Sequence, residues 1–382
     1  MPSTHLRQTV LTAARRVVVK LGTQLLSRTG GGLDQSYLKR IAEQVAELRR
    51  RQIEVTIVCS GAISEGYTEL GIARRPKDVA DLQAMAAVGQ PRLMLHLHQA
   101  FARFDMTTAQ LLLTRGDFDD RVRFLNIRNC VNHLHRRGCI PIINENDTVA
   151  VEELEAMRFG ENDLLAAMIC NALRADVLVL LTVVEGLQDG RRRRIDLVDD
   201  VHEVQAMVRA STSRLGKGGM ATKVQAARLV SEAGEIAVIA HGRESNVLPR
   251  LFDGEAIGTV FAPASRKLDS RSRWIGLTKQ PAGTIEIDQG AATALTKRGK
   301  SLLASGIVGL TGQFARGEVV MVRDARGREI ARGLTNYPAD ELRLIKGKRS
   351  MQFEKILGRP AFAEVVHRDN LVITFLETQL PK

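Results

Sequence analysis

The chain has 382 residues, of which 44% are hydrophobic and 26% charged, so it can bury a sizeable core and is not a disordered polypeptide. Lys and Arg outnumber Asp and Glu by 55 to 43, and a pI near 9.9 favours anionic partners such as phosphates or nucleic acid. The four cysteines lack paired spacing, the first residues lack the apolar core of a signal peptide, and no run of about 18 apolar residues occurs, so we expect a cytoplasmic protein with no membrane segment.

Six short apolar runs, rich in β-branched residues, predict buried strands. In chain order they are RRVVVKLG, IEVTIVCSG, TTAQLLLT, CIPIINEN, DVLVLLT and EIAVIAHG. Longer stretches with helical spacing lie between and after them, at residues 37–50, 78–104, 117–137, 162–173 and 220–233. Because strand and helix alternate, the sequence predicts an α/β fold with a doubly wound, mostly parallel sheet and helices on both faces.

From Pro281 the pattern changes to short strands with frequent glycine and little helix, which predicts a second, small, β-rich domain. We therefore expect a first domain over residues 1–265, a linker over 266–280, the β-rich domain over 281–372 and a tail over 373–382.

Polar residues and glycines follow several of the predicted strands. The first strand ends in Lys20 and Gly22, the second in Ser60 and Gly61, and the fourth in the polar residues 144–147 of IINENDT. Such a polar cluster can form a turn, since Asn and Asp favour turns. It can also form a pocket wall, since ligands in open α/β sheets bind beyond the carboxyl ends of the strands. The lysine and the glycine-rich turns predicted at the same edge favour the pocket.

Two later motifs add to this edge. The stretch GENDLLAA places Asn162 and Asp163 at the start of a helix, where they can cap the helix or face a ligand, and a plain N-cap explains the spacing equally well. The stretch GKGGMATK is a glycine-rich loop that runs into a helix, with Lys223 near its first turn. Such a loop offers backbone N–H groups and the positive end of the helix dipole to a phosphate.

The standard phosphate and metal signatures are absent from the sequence. The GKS at residues 299–301 has no glycine five residues before it, so the P-loop pattern fails. No G-x-G-x-x-G follows the first strand, and no histidine or cysteine spacing suggests zinc. We therefore predict no protein metal ligands.

Seven motifs between residues 16 and 260 occur in the order found in one known family. They read VVVKLGTQLL, CSGAISEG, AAVGQPRLM, QLLLTRGDFDDRVRFLN, IPIINENDTV, FGENDLLAA and GKGGMATKVQAA. In these motifs the chain resembles the glutamate 5-kinases of the amino acid kinase superfamily. Beyond Pro281, KSLLASGIVGLTGQFARGEVVMVRD looks like the PUA domain that many bacterial glutamate 5-kinases carry. The resemblance implies phosphorylation of the glutamate γ-carboxylate by ATP, the first step of proline biosynthesis.

The resemblance also implies which residues bind glutamate. Ser60, Asp147 and Asn162 would contact it, with Asp147 taking the ammonium group and Ser60 and Asn162 donating hydrogen bonds. The reacting carboxylate has a solution pKa of about 4.3, so it is ionised at neutral pH and needs no general base. Catalysis would then depend on positioning and charge neutralisation.

The catalytic residues implied by the resemblance are Lys20, Lys223 and Asp163. The two lysines would reach the transferring phosphoryl group, Asp163 would hold them in place, and Mg²⁺ would bridge phosphate oxygens. The ATP-binding residues implied in the same way are Lys20, Thr182, Val183, Lys217, Gly218, Gly219, Met220, Ala221, Thr222 and Lys223.

The chain departs from the family's usual pattern on the nucleotide side. Val183 stands where an acid is usual, and the arginine run 191–194 occupies a shorter loop in place of a stretch with Asp-Pro. Glu161, Ala166 and Lys217 also replace the residues usual at those positions. Nucleotide affinity and choice are therefore open.

Two alternatives remain beside the glutamate kinase: a related kinase with another acceptor or nucleotide, and an RNA-binding regulator that acts through the PUA-like domain. Residues 281–371 hold 15 Lys and Arg against 10 Asp and Glu, and they offer few aromatics for base stacking, chiefly Phe314, Tyr337 and Phe353. This scarcity favours the enzyme. The family also implies a homo-oligomer, while inhibition by proline stays open.

Overall fold

The computed structural model describes residues 6–28, 32–72, 76, 78–150, 161–201, 204, 219–264 and 267–374, and the chain divides into two compact units between Lys267 and Leu268. The strands of the first unit are β1 (Arg16–Leu21), β2 (Glu54–Cys59), β3 (Thr108–Leu113), β4 (Ile140–Glu145), β5 (Val177–Thr182), β6 (Leu197–Val198), β7 (Ile236–His241) and β8 (Thr259–Phe261). Its α-helices are α1 (Thr23–Leu26), α2 (Gln35–Arg50), α3 (Ala62–Glu69), α4 (Val79–Ala102), α5 (Arg115–Asp119), α6 (Arg121–Arg136), α7 (Glu161–Leu173), α8 (Gly219–Glu232) and α9 (Val247–Phe252).

The eight strands described in the first unit form one sheet in the order β3-β4-β2-β1-β5-β7-β8-β6. Among the strands described, β7 and β8 pair antiparallel and the other neighbours pair parallel. Lys20 of β1 lies beside Val58 of β2 and Leu180 of β5, so the central strands end at the same edge. The predicted α/β fold with a mostly parallel sheet is thus confirmed. The apolar runs of the central strands are buried on both faces, but β3, which was also predicted to be buried, lies at the edge of the sheet and only Leu113 of it is buried.

One predicted helix is divided in two. The sequence predicted a single helix over residues 117–137, but α5 ends at Asp119 and α6 begins at Arg121. The carboxylate of Asp120 accepts hydrogen bonds from the backbone N–H groups of Val122 and Arg123, at 2.8 and 2.9 Å. Asp120 therefore caps a new helix, and the prediction of one continuous helix is wrong.

Helix α3, which the sequence did not predict, packs backbone against backbone on α4. Gly61 has φ +116°, a conformation that favours glycine, and it turns the chain from β2 into α3. A methyl group at Gly66 would lie 1.8 Å from the carbonyl oxygen of Met85, and one at Gly89 would lie 1.9 Å from that of Ala62. This close approach fixes the position of α4 relative to the loop that follows β2.

The second unit holds a five-stranded sheet in the order β10-β9-β11-β12-β13. Its strands are β9 (Gly283–Ile287), β10 (Ile307–Gly312), β11 (Val319–Arg323), β12 (Glu329–Leu334) and β13 (Leu371–Ile373), and its α-helices are α10 (Ser270–Arg273), α11 (Gln289–Arg298), α12 (Ala339–Ile345) and α13 (Phe353–Leu357). The expected β-rich unit is present, but it has more helix than the sequence predicted. Asp288 caps α11 by accepting a hydrogen bond from the Ala291 N–H at 2.7 Å, a helix start that the glycine-rich pattern obscured.

The segment expected as a linker contains ordered structure that packs on the second sheet. Helix α10 continues into a π-helical turn over Trp274–Thr278. Trp274, Ile275 and Leu277 are buried, and Gly276 lies against Val372 of β13. These residues therefore belong to the second unit, and the domain limits given above stay a prediction.

Candidate active site

The structure places most of the predicted site residues at the carboxyl edge of the first sheet. Each lies at a strand end or in the first turns of a helix. From β1, β2, β4 and β5 and from helices α7 and α8 they are Lys20, Ser60, Asp147, Thr182, Val183, Asn162, Asp163, Gly219, Met220, Ala221, Thr222 and Lys223. Lys217 and Gly218 lie outside the described residues.

Two lysines share one buried carboxylate at this edge. Lys20 Nζ lies 2.7 Å from Asp163 Oδ1, and Lys223 Nζ lies 3.0 Å from Asp163 Oδ2. The Thr222 hydroxyl also donates to Asp163 Oδ2 at 3.1 Å. The side chain of Asp163 is 0% exposed, while those of Lys20 and Lys223 are 6% and 12% exposed. We call Lys20, Asp163 and Lys223 the ionic cluster, and the structure brings all three predicted catalytic residues together in it.

Burial and charge oppose each other in the ionic cluster. Burial would raise the pKa of Asp163, but the ammonium groups of Lys20 and Lys223 outweigh it and hold that pKa below its usual value. Burial lowers the pKa of Lys223, and the attraction of Asp163 only partly offsets this effect. Asp163 is therefore firmly ionised at neutral pH, whereas Lys223 loses its proton more readily than an exposed lysine.

A chain of neutral side chains lies next to the ionic cluster along the same edge. Asn162 Nδ2 donates to Ser60 Oγ at 2.9 Å and approaches Asn144 Oδ1 at 3.4 Å, while Asn144 Nδ2 donates to Gln90 Oε1 at 2.8 Å. We call these four residues the amide chain. Asn162 Oδ1 is buried and has no hydrogen-bond partner among the described residues. Asn162 thus uses its amide nitrogen within the protein and keeps an acceptor oxygen for another group.

The polar residues of IINENDT have different environments. Asn144 and Glu145 are buried at the end of β4. Asn146 forms a turn, in which its carbonyl oxygen accepts the backbone N–H groups of Val149 and Ala150 at 3.0 Å. Asp147, within that turn, is half-buried. The segment is therefore a turn at its far end and a buried polar stretch at its near end, and its role as the wall of a ligand pocket stays a prediction.

The structure describes part of the predicted nucleotide side. Thr182 ends β5 next to β1, and Val183 follows it with an exposed side chain. Gly219 to Lys223 form the first turns of the 14-residue helix α8. No group of three or more His, Cys, Asp or Glu side chains in the described ranges is placed to hold a metal ion. The described carboxylate nearest the lysines, Asp163, is already paired with them.

Two members of the amide chain, Asn144 and Gln90, were not predicted as site residues. Asn144 was quoted only as part of a polar cluster, and Gln90 only as a letter in AAVGQPRLM. Their contact joins residues 54 positions apart. The sequence did contain one signal for this contact, an amide residue within each of two mostly apolar segments. Buried amides need hydrogen-bond partners, so two such residues are candidates to pair with each other.

Comparison with known proteins gives the family. The model of the amino acid kinase family matches residues 15–240, and the PUA domain model matches residues 283–357. A glutamate 5-kinase from Ralstonia nicotianae is 46% identical over 373 residues, which are 96% of this chain and 99% of that protein. A glutamate 5-kinase from Methylococcus capsulatus is 45% identical over 95% of this chain and 98% of that protein. The chain belongs to the glutamate 5-kinases of the amino acid kinase family.

Among solved structures, carbamate kinase from Giardia lamblia, with AMP-PNP bound, aligns with this amino acid kinase at a TM-score of 0.47 and 15% identity, over 66% of this chain and 99% of that chain.

The arginine run of this amino acid kinase is partly held by acids of the same loop. Asp189 accepts the backbone N–H groups of Arg191 and Arg193 and pairs with the Arg193 guanidinium at 2.9 Å. Arg194 pairs with Asp196 at 2.8 Å. Arg191 and Arg192 are exposed. Two of the four arginines therefore shape the loop, and the other two remain available to a ligand or to solvent.

Proposed function

We propose that the protein transfers the γ-phosphoryl group of ATP to the γ-carboxylate of L-glutamate, which forms γ-glutamyl phosphate and ADP and starts proline biosynthesis. The observation that carries the proposal is the ionic cluster at the edge where the strand ends converge. It is supported by relatives named glutamate 5-kinase that are about 45% identical over nearly the full chain.

The ionic cluster suits the main obstacle of the reaction, which is repulsion between two anions. The glutamate carboxylate attacks the γ-phosphorus, the bond from that phosphorus to the β,γ-bridging oxygen breaks, and ADP leaves with the electron pair. No proton is transferred in this step, because the carboxylate is already ionised. Lys20 and Lys223 carry two positive charges and Asp163 one negative charge, so a net positive charge remains to stabilise the equatorial phosphoryl oxygens.

The amide chain suits recognition of the amino acid. Ser60 Oγ accepts the Asn162 amide, so the Ser60 hydroxyl proton can be donated to a glutamate carboxylate. Asn162 Oδ1 provides an acceptor and Asp147 an anion, and either can bind the ammonium group. The Asn162 amide nitrogen donates to Ser60 and approaches Asn144, so donation from Asn162 to glutamate stays a prediction.

The nucleotide would bind between the end of β5 and the start of α8. Thr182 and Val183 lie on one side and residues 219–223 on the other. Lys217 and Gly218 precede this helix in the sequence, and their part in nucleotide binding stays a prediction. The N-terminus of α8 offers backbone N–H groups to phosphate oxygens. Mg²⁺ would enter with ATP as part of the substrate, bound by phosphate oxygens, since Mg²⁺ commonly keeps phosphates and waters as ligands.

A substrate panel tests this function. Purified protein with ATP, Mg²⁺, hydroxylamine and glutamate should form γ-glutamyl hydroxamate. Aspartate should react about 100-fold more slowly, because a missing methylene misplaces the reacting carboxylate. Equal or better use of N-acetylglutamate, carbamate or a nucleoside monophosphate would contradict the glutamate assignment and favour a kinase with another acceptor.

Other properties implied by the family stay predictions. We place the kinase domain at residues 1–265 and the PUA-like domain at 281–372, and we expect a homo-oligomer, which sedimentation analysis can test. Cytoplasmic location, proline inhibition and RNA binding also remain to be tested, and among the described helices none is long and apolar enough to cross a bilayer. Tight RNA binding at physiological salt, together with inactivity on every acceptor, would favour the regulator instead.

A further inference from the structure

Helix α4 holds the segment after β4 through two glutamines. Gln90 Oε1 accepts a hydrogen bond from Asn144 Nδ2 at 2.8 Å. Gln83 Nε2 donates to the carbonyl oxygen of Thr148 at 3.2 Å. Residues seven apart lie on one face of a helix. The same face of α4 therefore contacts both ends of the segment that contains Asp147.

The backbone N–H of Glu145 sets the direction of the amide chain, and Gln90 holds the other end of the Asn144 side chain. The backbone N–H of Glu145 donates to Asn144 Oδ1 at 2.9 Å, so this oxygen is identified by its donor, and Asn144 Nδ2 must face Gln90. Asn162 then meets an oxygen at Asn144 and must turn its own amide nitrogen toward it. The same nitrogen donates to Ser60 Oγ, which leaves the Ser60 proton for another acceptor.

Gln90 is well placed to maintain this orientation. It is 7% exposed, and its Nε2 has no hydrogen-bond partner among the described residues. The preceding residue, Gly89, makes the close backbone contact with Ala62 that fixes α4 against α3. Because α3 directly follows the loop of Ser60, Gln90 and Ser60 are held on two elements that cannot easily shift apart.

We propose that Gln90 is a positioning residue for the amino acid substrate, acting through Asn144 on Ser60 and Asn162, with Gln83 as a second and weaker support of the Asp147 segment. This inference rests on the proposed glutamate kinase function and deepens it. Without the Gln90 acceptor, the buried Asn144 amide nitrogen loses its partner and the Asn144 side chain is held at its oxygen alone, so the Ser60 hydroxyl and the Asn162 amide are positioned less firmly. The effect falls on glutamate binding, because the ionic cluster is held by separate contacts.

The test compares two substitutions to methionine in the same helix. Gln90→Met removes the acceptor at similar side-chain length, and Leu93→Met is a matched control, since Leu93 is fully buried in the core. Gln90→Met should raise the glutamate KM about 10-fold, the equivalent of ~1.4 kcal/mol, with kcat and the ATP KM within about twofold. Leu93→Met should leave all three constants within about twofold. Gln83→Ala should raise the glutamate KM about fourfold, less than Gln90→Met because its contact is more exposed.

A double-mutant cycle with Asn144→Ala checks the route. If Gln90 acts through Asn144, Gln90→Met should add less than about twofold to the glutamate KM in the Asn144→Ala background, and calorimetric glutamate affinities should show the same pattern. Full additivity, or a wild-type glutamate KM in folded Gln90→Met, would overturn the inference. Wild-type protein that makes no γ-glutamyl hydroxamate would instead reject the proposed function, so the two failures are distinguishable.

Discussion

The ionic cluster and the amide chain are neighbours, joined at the consecutive residues Asn162 and Asp163, yet they are built differently. The ionic cluster places two ammonium groups around one buried carboxylate. The amide chain joins four neutral side chains by directed hydrogen bonds. Charges suit the phosphoryl group, whose charge is redistributed during the reaction, and neutral donors and acceptors suit the parts of the amino acid whose charge does not change. The comparison therefore predicts that damage to the first impairs chemistry and that damage to the second impairs glutamate binding.

The largest effect is expected from Asp163→Asn, which leaves both lysines without their buried counter-charge. Removing one partner of a buried ion pair costs ~3–5 kcal/mol, measurable at pH 7 by urea unfolding. Because the pKa of Asp163 is lowered in the folded protein, its contribution is fully present above the unfolded value of about 3.9 and is lost as pH falls through the folded pKa. The difference in unfolding free energy between wild type and Asp163→Asn should therefore narrow only in strong acid.

The exposed pair of Asp253 with Arg51 provides the control for Asp163→Asn. Asp253→Asn should shift the urea midpoint little, because exposed ion pairs contribute little to stability. Equal midpoints for Asp163→Asn and Asp253→Asn at pH 7 would show that the ionic cluster is not a buried, mutually dependent unit.

The next largest effect is expected on turnover from Lys223→Ala. Loss of a charge aimed at the transferring phosphoryl group costs about 100-fold or more in kcat, with a smaller change in the glutamate KM. Gln225→Ala, an exposed change on the same helix, should leave kcat unchanged. If folded Lys223→Ala keeps a kcat within about threefold of wild type, Lys223 does not contact the reacting phosphoryl group.

Ser60→Ala should weaken glutamate binding more than it slows turnover. Loss of one donor to a carboxylate costs about 1.5 kcal/mol or more, so we expect the glutamate KM to rise roughly 10-fold while the ATP KM stays unchanged. Ser64→Ala is the matched control in α3, because the Ser64 hydroxyl lies near Ser27 and Tyr67 instead of Asn162. If kcat falls for Ser60→Ala and the glutamate KM does not move, the division between the two regions is wrong.

The two regions also differ in how far the sequence predicted them. Lys20, Asp163 and Lys223 could be placed at one edge because each lies at a strand end or helix start, and the family resemblance supplied their catalytic roles. The contact of Gln90 with Asn144 could not be proposed. It depends on how α4 lies against β4, which the backbone approach at Gly89 decides. Helix α3 was missed for a related reason: glycines and small residues that permit close packing also resemble a turn.

The last and smallest effect concerns pH, to which the two regions should respond differently. Burial lowers the pKa of Lys223, so in the protein without nucleotide this group should lose its proton at a lower pH than an ordinary lysine with a pKa of about 10.4. At saturating glutamate, kcat/KM for ATP should therefore fall on an alkaline limb below that value, since kcat/KM reports the form that lacks ATP. Bound triphosphate favours the charged ammonium, so the alkaline limb of kcat should lie at higher pH than that of kcat/KM.

In Lys223→Arg the alkaline limb of kcat/KM for ATP should move to higher pH, because a guanidinium keeps its proton throughout this range. Glutamate affinity between about pH 6 and 8 should stay flat, because hydroxyl and amide side chains do not titrate there. An unchanged limb in Lys223→Arg would show that another group carries the pH dependence.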